Sequence, residues 1–164
     1  MKHTNVKMLQ GRALYELMQN EFVDIIWSMT SIEREKKLTP IRIPLYKGLI
    51  GSRLLLINTK DKSKFRDIHS KKDLLQFYAG QGHDWPDTYI LKNNDLPVVT
   101  SANYEGLFGM LLLDRFDYFP RSIIEIWDEA QAHISDEIIV EPNLIIQYPT
   151  ASYFFVNKKI QKVI

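Results

Sequence analysis

Residues 103–122 read NYEGLFGMLLLDRFDYFPRS, and an upstream stretch, residues 80–88, reads GQGHDWPDT. Each follows an apolar run with polar or glycine-containing punctuation and then a helical pattern, and such units build a parallel sheet with ligand-facing loops at one edge. Asn103 fits the N-cap of a helix whose Leu107, Phe108, Met110, Leu111 and Leu113 read as core. RFDYF (115–119) reads as a short strand, and Pro120 fits the entry of a helix over 121–133 with Ile123, Ile124, Ile126 and Trp127 on its apolar face. In the upstream unit QFYAG (76–80) reads as a strand, Gln81 and Gly82 as a turn, and a helix follows over about 86–92. GQG fits either a turn whose amides face a polar or acidic ligand or a plain strand-to-helix turn. Asp84 and Asp87 read as caps of that helix rather than as an acid–base pair.

Working outward, RLLLIN (53–58) and LPVVT (96–100) read as buried strands. Leu14, Leu17 and Met18 recur at helical spacing over 11–20, and FVDIIW (22–27) reads as a buried strand. TSIEREKK (30–37) reads as a polar turn in which Thr30 or Ser31 caps and Arg34 sits on the surface. Pro40 and Pro44 keep IRI extended, at an edge or a crossover. Ser70 and Asp73 have capping-box spacing. IIVEP, LIIQYP and SYFFV, punctuated by Pro142 and Pro149, are three extended segments. The alternation over 53–133 predicts an α/β fold with a mainly parallel sheet.

The 164 residues are 45% hydrophobic, enough for one core or two small lobes. Lys and Arg number 21 against 20 Asp and Glu, interspersed without the basic stripe that neutralises phosphates, so no nucleic acid partner is expected. The absence of cysteine excludes disulfides and thiolate metal sites. His3, His69, His83 and His133 lack metal-ligand spacing with carboxylates, so no metal site is expected. No nucleophile elbow, phosphate loop or dinucleotide fingerprint occurs, which leaves no catalytic residue and no cofactor to assign. The longest apolar run, 110–113, falls far short of the roughly 20 residues that span a bilayer. The opening MKHTNVKMLQGR has no apolar segment of the roughly 7 to 15 residues an export signal needs. What remains suits recognition: Arg34 as a bidentate carboxylate clamp, amides near Gly82, and aromatic surfaces from Trp85, Tyr104 and Tyr118.

The order TSIEREKK, IRIPLYKGLIG, a strand, FRDI, KKDLL, GQG, VVT, NYEGLFGMLLLDRFDYFPRS and YFFV resembles the extracellular solute-binding proteins of family 3, over about residues 11–158. That resemblance implies a type II periplasmic binding fold: two α/β lobes joined by hinge strands, holding a small amino acid-like or carboxylate solute between them for an ABC transporter permease. It implies a partial first lobe over 1–51, a hinge strand over 52–58, a complete second lobe over 59–147, and a return hinge with a truncated first-lobe end over 148–164. The family's Ser/Thr-x-x-Arg carboxylate clamp matches Ser31 and Arg34, and its glycine-containing turn matches Gln81 and Gly82. Tyr118, Arg121 and Ser122 fall where the family reads the solute's amino group with an acid, and no acid stands there. Family members begin earlier, with an export signal in their precursors, and end later. Their periplasmic setting is implied here although this chain shows no such signal, and an apolar edge at 22–27 is expected to leave the chain prone to homodimerise. Two alternatives stand beside the binding module: a truncated remnant that binds nothing, and a lytic cell-wall hydrolase on the same fold, with Glu105 as its acid.

Overall fold

The computed structural model describes residues 4–6, 8–133 and 137–160. His3 and part of the opening stretch read for an export signal lie outside them. In chain order the elements are α1 (Gln10–Gln19), β1 (Ile25–Met29), α2 (Ile32–Lys37), β2 (Leu38–Ile41), β3 (Ser52–Asn58), α3 (Lys62–Arg66), α4 (Lys71–Leu74) and β4 (Ala79–Gly82). There follow α5 (Pro86–Asn93), β5 (Val98–Ser101), α6 (Tyr104–Leu112), β6 (Tyr118–Ser122), α7 (Ile126–His133), β7 (Ile138–Gln147) and β8 (Ser152–Asn157). They form two compact units, residues 1–46 with 151–164, and residues 47–150.

The smaller unit is a three-stranded antiparallel sheet in the order β1-β8-β2. Leu17 of α1 packs with Ile26, Leu38 and Phe155 to make its core. Asn20 ends α1 in the left-handed conformation that asparagine tolerates, and the Asn157 amide donates to the carbonyls of Leu17 and Met18, each at 2.8 Å. Segment 22–27 is not strand throughout: β1 starts at Ile25, and Phe22 is exposed before it. The strand does have a neighbour, because Ile25 faces Val156 and Trp27 faces Phe154 across the ladder to β8. Among the described residues no further strand pairs with its outer edge, and Trp27 on it is 64% exposed. Pro40 lies in β2 at the other edge, where a missing N–H costs nothing.

The larger unit is a five-stranded sheet in the order β5-β4-β6-β3-β7. This sheet is mixed, with four of its five strands pointing the same way. β4 runs parallel to β5 and β6, whereas β3 pairs antiparallel with β6 and β7. The parallel part comes from the two strand–helix units. β3 alone runs against the others, antiparallel to both β6 and β7, so β7 points the same way as β6. Leu55, Ile57, Ala79 and Tyr118 pack beneath α3, α4 and α5 on one face, and Leu56, Phe119, Leu107 and Phe108 pack with α6 and α7 on the other. IIVEP and LIIQYP are one strand, β7, carrying an irregularity opposite Leu55; there Glu141 accepts the backbone N–H groups of Asn143 and Leu144 at 2.8 and 2.5 Å.

Three sequence expectations shift in this unit. Gln81 and Gly82 end β4 instead of forming a turn. Pro120 lies inside β6, and α7 begins only at Ile126. The strand accepts the proline because its parallel ladder to β4 has a single registered pair, Ala79 with Tyr118, and stops before Pro120 would have to donate. Ser70 does cap α4, accepting from the Asp73 amide at 3.3 Å, while Asp73 reaches back to the His69 amide at 3.1 Å.

Leu56, fully buried on the interior strand β3, gives a direct check of this core. Leu56→Ala is expected to lower the free energy of unfolding by about 2–5 kcal/mol in urea titrations. A loss below about 1 kcal/mol would place Leu56 outside a packed core.

Candidate functional site

β5, β4 and β6 end at Ser101, Gly82 and Ser122, and α6, α5 and α7 begin shortly beyond them. Open α/β sheets take ligands at this edge. Gly82 is required here by close approach rather than by a turn, since a Cβ would lie 2.4 Å from the Trp85 ring. With that space left open, Trp85 lies flat over Phe119, ring centroids 6.3 Å apart and planes 14° from parallel. Pro86 occupies the first turn of α5, where no N–H is needed.

Two buried arginines dominate the edge. Arg53 opens β3 on the face shared with Leu55 and Ile57. Its Nη2 lies 2.7 Å from Asp87 Oδ1 and its Nε donates to the Tyr148 hydroxyl at 2.9 Å; that hydroxyl in turn donates to Asp87. Asp87, expected as a helix cap, is therefore the counter-ion of Arg53. Arg121 near the end of β6 points to the opposite face, shared with Phe119. Its Nε donates to Glu129 Oε2 at 2.6 Å and its Nη2 to Glu129 Oε1. Glu125 joins the two systems, 3.3 Å from Arg121 Nη2 and 3.8 Å from Arg53 Nη1. Burial alone would lower the pKa of Arg121, but the hydrogen bonds and charge of Glu129 outweigh it and hold the guanidinium more firmly protonated than usual. The Tyr148 and Tyr104 hydroxyls are both pushed up, by burial first and then by Asp87 and Glu129 respectively.

Of the residues singled out from sequence, Gln81, Gly82, Tyr118, Arg121 and Ser122 all lie in β4 and β6 of the larger unit. Tyr118 is fully buried with its ring edge-on to Phe65, so it packs the core rather than lining an open edge. Gln81 is 1% exposed; neither atom of its side-chain amide has a hydrogen-bond partner among the described residues, nor does the Tyr118 hydroxyl. Ser122 is fully buried, its hydroxyl 3.5 Å from the Ile124 amide.

Ser31 and Arg34 belong to the smaller unit. Ser31 N-caps α2, accepting from the Arg34 amide at 3.2 Å, so the segment read as a solvated turn is a short capped helix. Arg34 is buried, not on the surface. Its guanidinium donates to Ser28 Oγ at 2.5 Å, the Met29 carbonyl at 2.7 Å and Gln10 Oε1 at 2.7 Å. Glu105, the one acid considered for hydrolysis, is exposed on the first turn of α6, 3.3 Å from His133 Nε2. Among the described residues no group of three His, Asp or Glu is placed to hold a metal, and no helix is long and apolar enough to cross a membrane. A groove of about 350 Å³ runs along β7 between Leu74, Ile90 and Leu144, with His69, Ser70, Lys71 and Asn94 also lining it.

Sequence reasoning missed Arg53, Tyr148, Glu125 and Glu129. Two signals were present: an arginine heading the otherwise apolar run RLLLIN, and two glutamates four residues apart at the start of α7, spaced to face one point.

No protein-family model matches the sequence, and no curated protein matches it. Solved structures do. The arginine-bound form of truncated ArgBP from T. maritima aligns at a TM-score of 0.68 with 15% identity, over 95% of this chain and 69% of that one. An ancestral arginine-binding protein bound to arginine gives 0.71 and 13%, over 95% and 67%. The GluR0 ligand-binding core from Nostoc punctiforme, in complex with L-glutamate, gives 0.66 and 13%, over 93% and 68%. The fold is that of the type II periplasmic binding proteins. The chain spans about two thirds of the length of these neighbours.

Glu125 supplies a pH test of the charged edge. Burial raises its carboxyl above its ordinary 4.5, against the pull of Arg121 and Arg53. Such a group binds its proton more tightly folded than unfolded, so its contribution to stability is present below 4.5 and is lost as pH climbs through the raised value. Glu125→Gln removes that loss. The stability of the variant relative to wild type is expected to grow as pH rises from 4.5 towards neutrality, read by urea unfolding at a series of pH values; a difference that shrinks over this range would contradict the assignment.

Proposed function

We propose that the protein is a non-enzymatic solute-binding or ligand-sensing module for a small polar or carboxylate-bearing solute. In the larger unit the ligand-facing residues of this proposal are Gln81, Gly82 and Ser122, with Arg121 fixed beside them by Glu129; in the smaller unit they are Ser31 and Arg34. The observation that carries the reading is Gln81: a fully buried side-chain amide without a partner among the described residues, at the strand end where this fold class takes ligands. Burying such a group costs about 1–3 kcal/mol unless something satisfies it. The solved neighbours, which carry arginine or glutamate, support the same solute class. A periplasmic setting and delivery to a membrane permease belong to the proposal. A second reading is a folded module that binds no solute, and the pairing of Arg121 with Glu129 favours it, because that cation already has its carboxylate.

Calorimetry of the full chain against amino acids and small mono- and dicarboxylates separates the two. The binding reading expects heat from at least one of them, with more than about tenfold weaker binding in Gln81→Met, a change equivalent to about 1.4 kcal/mol. Silence across the panel would overturn it in favour of the non-binding module.

The open edge and outer face of β1 carry a further proposal, a homodimer formed through that strand. A sheet edge with no partner strand among the described residues, carrying exposed Ile25 and Trp27, invites pairing with a second copy. Light scattering at high concentration is expected to give twice the monomer mass, and Trp27→Lys to return it to monomer. A wild-type monomer at high concentration would sink the proposal.

A further inference from the structure

Arg121 is held as a bound ligand would be. Its guanidinium carbon lies 4.8 Å from the Trp85 ring, 5.0 Å from Phe119 and 5.6 Å from Tyr104. In addition to these aromatic contacts it makes a two-pronged contact with Glu129 and a single one with Glu125. Aromatic faces and paired carboxylates are the two devices that recognise a planar cation. Arg53, at the same edge, has one ring contact, with Tyr148 at 5.8 Å, and is held chiefly by polar partners.

The walls do not depend on Arg121. Trp85 precedes α5, Tyr104 opens α6, Phe119 lies in β6, and Glu125 and Glu129 belong to the start of α7. Trp85 stacks on Phe119, and Phe108 meets Tyr104 edge-on at 5.4 Å and Phe119 at 5.4 Å. These contacts persist if the arginine side chain is cut back. What would remain is a walled cavity with Glu129 only 14% exposed and no longer paired with Arg121.

We infer that the larger unit contains a guanidinium-binding cage, built by Trp85, Tyr104, Phe119, Glu125 and Glu129, whose resident occupant is the chain's own Arg121. The inference does not rest on the solute-binding reading above, since the cage is filled whether or not the protein takes a solute. It has a consequence for ligand class: the intact protein gains nothing from free guanidinium compounds at this site, and removal of the Arg121 side chain turns the site into a receptor for them.

Arg121→Ala deletes Cγ, Cδ and the guanidino group, a fragment with the structure of ethylguanidine. The test is thermal unfolding of full-length wild type, R121A and the double variant R121A/E129Q, each with ethylguanidinium chloride at millimolar concentrations or with equal sodium chloride. R121A is expected to melt below wild type and to be restored by ethylguanidinium alone. At ten times the dissociation constant the folded-to-unfolded ratio should rise about elevenfold. Wild type and R121A/E129Q should not respond, the first because the cage is full and the second because its main carboxylate is gone. A response of R121A no larger than that of wild type, or one retained in R121A/E129Q, overturns the inference. If R121A does not fold alone, recovery of folded protein on refolding with ethylguanidinium supports the cage, and failure to recover it overturns it.

Discussion

Two positive charges buried at one end of a sheet constrain the larger unit more than any other feature. Arg53 and Arg121 stand on neighbouring strands, 3% and 7% exposed, on opposite faces of the sheet. A guanidinium removed from water without partners costs several kcal/mol, and that cost outweighs the gain from burying a neighbouring aliphatic side chain. The chain meets the demand by bringing carboxylates to each face. Asp87 arrives on the first turn of α5, and Glu125 and Glu129 arrive around the start of α7. The positions of both helix starts are thus tied to the two strands by charge, in addition to the apolar packing below them.

The sheet edge that results is rigid and internally satisfied in its charges, and unsatisfied in its neutral amide. Arg53, Asp87, Arg121, Glu125 and Glu129 pair with one another at these strand ends, while among the described residues the Gln81 amide, on the face that also carries Arg53, has no partner. Ion pairs of this kind contribute little net stability compared with apolar replacements of the same volume; their main effect is to allow one arrangement and penalise others. A module that positions neutral hydrogen-bonding groups at a fixed edge has use for that specificity.

Legibility in the sequence followed the range of the interaction. RLLLIN, the Asn103 cap, the helix over about 86–92 and the Ser70–Asp73 pair are readable because their causes are local, within a few residues of the effect. Pro120 misled, because a proline ahead of an apolar run is a helix start by local rules. Only the early end of the β4–β6 ladder makes it acceptable in a strand. Gly82 was noticed for the wrong reason, since its requirement comes from the Trp85 ring and not from backbone freedom. The partners of Arg53 were illegible: Asp87 is 34 residues away along the chain and Tyr148 95, and no periodicity connects them. Arg34 was read as a surface clamp and is instead enclosed by α1 and β1, because the residue that accepts its second branch, Gln10, lies 24 positions upstream.

The central claim is that Arg121 is a fixed internal cation, held by Glu129 between aromatic rings. Nitrogen-resolved NMR of the arginine side chains tests it most directly. A buried, bidentate guanidinium has hindered rotation and slow proton exchange, so the account predicts a distinct Arg121 Nε–Hε signal with resolved Nη protons, lost in Glu129→Gln. A single averaged signal exchanging with water as fast as that of exposed Arg12 would contradict it.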